Sequence, residues 1–228
     1  MSHLINIFVE PGKVFAELKE KPTFLLPLLL MMALTAAMTL LYFNKVDGEW
    51  LTNHQLTMSG SEMSAAEIEQ AKKVMPSAKV MGIVGAIFAP IFIVIVTLVM
   101  GLYYLAAGKI TGTAVSFKQA LSLVTWSGVP ALLSLVVAIV GIFMMAPQST
   151  LESLMLTNVD PLIVQLPYDH AWSSFAKNFN LLSLWSVALV AIGWRNWGRT
   201  GWGQALTVAL IPTLVIFGGM AAWALMKS

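Results

Sequence analysis

The chain has 228 residues, 58% hydrophobic and only 11% charged, with a formal net charge of +2 and a mean hydropathy of +0.80. A soluble domain carries roughly 25% charged residues, so the composition excludes an ordinary soluble fold, and the thinly spread Lys and Arg give no basic stripe of the kind a nucleic-acid partner needs. The chain has no cysteine, which excludes disulfides, thiolate chemistry and Cys-ligated metals together.

Residues 1–22 form a short mixed-charge segment. Pro11 suits the first turn of a helix, where its missing N–H costs nothing, and Val14, Phe15 and Leu18 then share one face while Lys13, Glu17 and Lys21 point away. This spacing predicts a short helix lying at the bilayer surface. Glu10, Glu17 and Glu20 stand ahead of the first apolar run and no cleavage site follows, so the segment is expected to be retained rather than removed as a signal peptide.

Five apolar stretches follow, each long enough to cross the roughly 30 Å hydrocarbon layer. The fold class they predict is all-α: one domain over residues 1–228, a polytopic membrane helix bundle of five transmembrane helices with a short N-terminal interfacial helix. Span one covers about 24–43, with Pro27 near its start and Thr35 and Thr39 one helical turn apart. A loop at 44–78 holds mixed charge, and its acidic residues read as solvated. Its Gly48–Ser61 part, rich in Thr, Asn, Ser and Gly, predicts little regular structure, whereas Ser64 and Glu67 have capping-box spacing for a helix over Ala65–Met75 that Pro76 ends.

Span two, about 80–107, exceeds the bilayer thickness and contains Pro90 as a kink point. Its Gly82 and Gly85 permit close approach of a partner helix, and Tyr103 and Tyr104 read as an interfacial aromatic pair. Ser116 and Gln119 form a second capping box, placing the next helix start at Phe117. Span three, about 120–145, carries Pro130, predicting a bend that creates a buried polar pocket with Ser127 and Ser134.

The loop at 146–174 has no Lys or Arg, and its apolar Leu162–Leu166 run is too short to span, so it is expected to rest on the membrane face or cover helix ends. Span four, about 175–194, has no proline. Trp194, Trp197 and Trp202 beside Arg195 and Arg199 then read as an aromatic belt with charged anchors for lipid headgroups, possible anionic ones included. Span five, about 203–226, contains Pro212 and the pair Gly218 and Gly219.

With a cytoplasmic N-terminus, the short connections on that side hold Lys109, Lys118, Arg195 and Arg199, beside Lys13, Lys19 and Lys21 ahead of span one. The total is seven basic residues against six, but short connections dominate orientation, predicting the N-terminus inside and the C-terminus on the opposite side. Gly108 precedes Gln119-Ala120-Leu121 by eleven residues and Gly193 precedes Gln204-Ala205-Leu206 by the same interval, which suggests two related hairpins.

Pro11 and Phe15 before the first span, the five-span layout, the stretch Gly108–Pro130 with its Ser116-Phe117-Lys118-Gln119 helix start, and the region Trp185–Ile211 together resemble a bacterial Yip1-domain membrane protein. The resemblance covers nearly the whole chain. It implies a multi-span domain in the bacterial cytoplasmic (inner) membrane; eukaryotic relatives are Golgi and endoplasmic reticulum proteins tied to Rab GTPases and vesicle traffic, with cytosolic N-terminal regions.

No catalytic, cofactor-binding or metal residue is assigned. His3, His54 and His170 are far apart and lie outside the apolar runs, no His-Glu-x-x-His or phosphate-binding loop is present, and Asp160, Asp169 and His170 share only a loop. The expectation is a non-enzymatic protein that organises the membrane or a complex, with lipids, a protein partner or a second copy as partners. The alternative is a transporter or channel for a small or apolar solute, although no Asp, Glu, Lys, Arg or His lies within the five apolar cores.

Overall fold

The computed structural model describes residues 2–58 and 65–227. Helices α1(Ser2–Val9) and α2(Pro11–Glu20) precede the first long helix, α3(Leu25–Lys45). The first loop holds α4(Gly48–Met58) and α5(Ala65–Val74), and α6(Ala78–Thr111), α7(Phe117–Ser127) and α8(Pro130–Met144) follow. A 3₁₀ turn at Glu152–Leu154 and the short α9(Val159–Leu162) lead into α10(Ser173–Asn178), α11(Leu182–Gly198) and α12(Trp202–Lys227). Among the described residues the sole β-type pairing is an isolated bridge between Asn158 and Asn180.

Three helices, α3, α6 and α12, are long and apolar enough to cross a membrane, and α7 with α8 makes a fourth crossing if the bent pair counts as one span. Their outward side chains, such as Phe92, Val99, Leu214 and Val215, are exposed and apolar, the surface that lipid tails solvate. The protein is therefore an all-helical integral membrane protein.

The long segments run between two ends of the bundle. At the turn end, α2 meets the α6–α7 and α11–α12 connections. Lys19 Nζ donates to the Trp197 carbonyl at 2.8 Å, Gln119 Nε2 to the Lys19 carbonyl at 2.7 Å, and Gln204 Nε2 to the Thr111 carbonyl at 3.3 Å. At the far end, the Asp47 N–H donates to the Pro147 carbonyl, Tyr42 Oη to the Ser149 carbonyl and Lys45 Nζ to the Phe143 carbonyl. A polar bond satisfied at each helix end holds the bundle where the hydrophobic effect between helices is weak.

Local chemistry accounts for most boundaries. The Ser116 hydroxyl accepts from the Gln119 N–H and the Gln119 side chain accepts from the Ser116 N–H, so the expected capping box starts α7 at Phe117. Close approach at Gly82 and Gly85 is real: a Cβ on them would lie 2.6 Å from Phe43 Cβ and 2.9 Å from Thr39 Cγ2, so side chains there would push α3 and α6 apart. α5 occupies the helix expected over 65–75, while Ser64, and with it the expected cap, lies outside the described residues.

Three expectations need correction. The apolar face of α2 exists, with Val14, Phe15 and Leu18 buried, but α7 and α11 cover it rather than lipid. The Gly48–Ser61 segment contains α4, whose first turn is capped by Asp47: its Oδ1 accepts from the N–H groups of Glu49 and Trp50. α6 continues through Pro90 as one helix of 34 residues.

Span four, expected as one run over 175–194, is divided at Phe179–Leu181. Asn180 Nδ2 donates to Ser134 Oγ and Thr157 Oγ1, both at 2.9 Å, its Oδ1 accepts from the Leu182 N–H, and the Val159 N–H and Leu181 N–H pair across the bridge with Phe179 and Thr157 carbonyls. These bonds replace the helical ones, leaving α11 with 17 residues, about 26 Å at ~1.5 Å per residue. That is short of the length expected of a full span.

The bend at Pro130 is present. α7 and α8 meet at 41°, with Pro130 at the first position of α8, and the joint is a tight turn in which the N–H groups of Val129, Ala131 and Leu132 each donate three residues back. Ser127 and Ser134 are both buried. Ser134 Oγ accepts from Asn180, whereas Ser127 Oγ has no partner among the described residues.

Candidate functional site

The turn end is built on a dense core. Phe15, Leu123, Trp126, Leu189 and Trp194 are all buried, and Tyr104 packs against Trp194 with ring centroids 6.0 Å apart. Trp197 is also buried, donating Nε1–H to the Phe15 carbonyl at 2.6 Å. Trp194 and Trp197 are thus core residues that clamp α2 onto α11, and the three-tryptophan belt expected from sequence reduces to Trp202, which is 49% exposed. Of the expected tyrosine pair, Tyr104 joins the core and Tyr103 donates to the Val208 carbonyl at 2.8 Å.

Outside this core the two arginines remain exposed. The Arg195 guanidinium lies 4.6 Å from the centre of the Trp202 ring, a cation–π contact that fixes its plane. Arg199 follows α11 in the left-handed conformation, φ 49°, at a position that glycine usually fills. Holding an L side chain there costs about 1 kcal/mol.

Both arginines line a hollow of about 400 Å³ with Gly12, Asn196, Thr200 and Trp202. Asn196 Nδ2 donates to the Gly12 carbonyl at 3.2 Å, fixing the α2 side of the rim. Neither guanidinium forms an ion pair among the described residues, and Thr200 Oγ1 is buried without a hydrogen-bond partner. Two cations unpaired among the described residues at one hollow can jointly donate to the oxygens of an anion. The arginines and their neighbour Asn196 stand together in the sequence; Gly12 joins them only because α2 docks on α11 in the fold.

A second hollow, about 730 Å³, opens at the far end between α4, the end of α3 and the 146–177 segment. It is lined by Tyr42, His54, Glu152, Asp160, Tyr168 and Lys177 among others, none of which formed a motif in sequence. Asp160 is buried and does meet a partner, the Leu166 N–H at 2.6 Å, whereas His170 Nδ1 accepts from the Trp172 N–H. No contact joins Asp160, Asp169 and His170. In the Leu162–Leu166 run, Leu166 lines this hollow while Leu162, Ile163 and Val164 stay exposed.

The histidines are separate: His3 pairs with Glu17 at 2.7 Å and sits edge-on to Trp126, and His54 stacks on Trp50 at 4.9 Å. Among the described residues no three His, Asp or Glu side chains are grouped to hold a metal ion.

Comparison with known proteins agrees with this architecture. The chain is 28% identical over 218 residues to membrane protein YknW of Bacillus subtilis (strain 168), an alignment covering 94% of this chain and 87% of that one. No solved structure matches it. The Yip1 domain family matches residues 5–224, from within α1 to the last turns of α12, and the chain belongs to that family.

Proposed function

We propose that this protein is a non-enzymatic membrane-organising protein whose turn end engages anionic lipid headgroups through Arg195 and Arg199. The observation that carries the reading is the 400 Å³ hollow that both guanidiniums line with no ion pair among the described residues, that of Arg195 lying over the exposed Trp202 ring. A headgroup phosphate supplies the acceptor oxygens that both guanidiniums lack, and Trp202 is suited to the headgroup level of a bilayer.

Five crossings of the bacterial inner membrane complete this reading. Support comes from the alternation of α3, α6, α7–α8, α11 and α12 between two ends, with the shorter α11 lengthened at the bilayer surface by α10. The turn end is cytoplasmic on this reading, because Lys109, Lys118, Arg195 and Arg199 flank its two short connections. The test is lipid analysis of purified protein: Arg195→Ala with Arg199→Ala lowers co-purifying phosphatidylglycerol and cardiolipin relative to the parent chain. Unchanged anionic lipid content overturns the proposal.

A second reading is passage of a small or apolar solute along the broken α7–α8 segment. It is favoured by the 41° bend and the unpartnered, buried Ser127 hydroxyl beside it. Uptake by proteoliposomes that Ser127→Leu abolishes would support that reading over the first.

A further inference from the structure

The far-end hollow has a charge arrangement that its own walls do not neutralise. Glu152 and Asp160 bring carboxylates to it and Lys177 an ammonium, yet no carboxylate oxygen lies within ion-pair distance of Lys177 Nζ among the described residues. Lys177 is held instead over the Tyr168 ring, 4.3 Å from its centre. Asp160 uses Oδ1 on the Leu166 N–H, and its Oδ2 has no hydrogen-bond partner among the described residues. Opposite charges that share a cavity without meeting leave room for a group carrying both signs.

The walls are fixed in place. Tyr42 Oη is tied to the Ser149 carbonyl, Asn158 Nδ2 to the Lys177 carbonyl at 2.6 Å, and Gln165 is held in the left-handed conformation, φ 47°. Gln165 and Arg199 are the two described non-glycine residues with positive φ, and each lines one of the two hollows. The volume, about 730 Å³, falls within the usual range for small-molecule sites.

The segment that walls the hollow with Pro161 and Leu166 also turns Leu162, Ile163 and Val164 outward, with Ile163 64% exposed. A ligand whose head enters the hollow has an apolar surface beside it for its tail. A polar solute has no use for that surface.

We propose that the far-end hollow binds a zwitterionic aminophosphate headgroup, the head of an aminophospholipid. Its primary ammonium donates to Glu152 and to the free oxygen of Asp160, and its phosphate accepts from Lys177. The carboxylates require N–H donors, so the site discriminates against a trimethylammonium head that has none.

The test uses full-length protein in mixed micelles with equal amounts of phosphatidylethanolamine, phosphatidylcholine and phosphatidylglycerol, reading retained lipid by native mass spectrometry. Phosphatidylethanolamine is retained about tenfold over phosphatidylcholine, the scale of one or two charge-assisted hydrogen bonds. Glu152→Gln and Lys177→Gln each reduce that preference several-fold, with helical circular dichroism unchanged; these two are chosen because Asp160 also holds the Leu166 N–H. Displacement of the lipid by soluble phosphoethanolamine indicates that the head alone suffices, and resistance to it with the preference intact indicates that the tail is needed too. Equal retention of phosphatidylethanolamine and phosphatidylcholine overturns the proposal, as does a preference that both folded variants keep. Arg195→Ala with Arg199→Ala lies at the opposite end and leaves this preference unchanged, so failure here is distinct from failure of the turn-end reading.

Discussion

The α6–α7 and α11–α12 hairpins begin alike and continue in opposite environments. Gln119 and Gln204 each stand third in their helix, each is followed by a fully buried alanine, Ala120 or Ala205, and each amide donates to a backbone carbonyl of the turn end. Beyond that point α7 buries Leu121, Ser122, Leu123, Thr125, Trp126 and Ser127, while α12 turns Leu206, Leu210, Leu214 and Val215 outward. α7 ends before Pro130, and α12 runs through Pro212 as one helix.

The difference teaches that surroundings decide what a proline does to a membrane helix. In lipid, backbone groups have only the helix itself as partner, so an exposed helix stays continuous. Within protein, the α7–α8 joint turns on its own short bonds, the N–H groups of Val129, Ala131 and Leu132 each donating three residues back, while Trp126 beside it anchors to the Thr23 carbonyl at 2.7 Å.

The strongest way to break this comparison is Trp126→Ala. It empties a site that is 2% exposed and removes the bond to Thr23, for an expected loss of about 3–5 kcal/mol. Trp223→Ala on α12, where the ring is 57% exposed, costs far less. Denaturant titration in detergent, followed by circular dichroism, compares the two, and equal losses would mean that α7 is not the core element described above.

Gly193→Val comes next. A Cβ there would stand 2.6 Å from Leu123 Cδ1 and 3.0 Å from Phe15 Cδ1, and both neighbours are fully buried with no space to yield. Overpacking of this kind costs about 1–3 kcal/mol. Gly218→Val on α12 meets nothing within 4 Å and should fall within about 0.5 kcal/mol of the parent in the same titration.

A smaller effect separates the paired glutamines. Gln119→Ala removes a reciprocal capping box and the bond to Lys19, costing about 1–2 kcal/mol, whereas Gln204→Ala loses a single 3.3 Å bond and costs about 0.5 kcal/mol. Hydrogen exchange at the amides opening α7 and α12 resolves that difference; equal protection losses would remove the distinction between the two helix starts.

What sequence made legible were features set by neighbours in the chain. The capping box at Ser116 and Gln119, the apolar face of Val14, Phe15 and Leu18, and the bend at Pro130 are all local patterns. What stayed hidden depends on distant partners. Trp194 and Trp197 sit in a stretch composed like an interfacial belt, and only the docking of α2 makes them core. Asn180 divides span four through Ser134 and Thr157, residues 46 and 23 positions away. The arginine side of the turn-end hollow was readable as a basic cluster, but its Gly12 member, and the whole far-end hollow, are products of tertiary packing.

The central proposal is that the two short turns and the N-terminal helices, gathered at one end of the bundle, face the cytoplasm, opposite the far-end hollow. Because the chain has no cysteine, single-cysteine labelling with a membrane-impermeant maleimide tests it directly. Gly201→Cys and Gln148→Cys place the thiol at exposed positions of the turn end and the far end. The account predicts that Gln148→Cys labels from outside intact spheroplasts and Gly201→Cys only after permeabilisation. Labelling of both from the same side, or the reverse order, would contradict it.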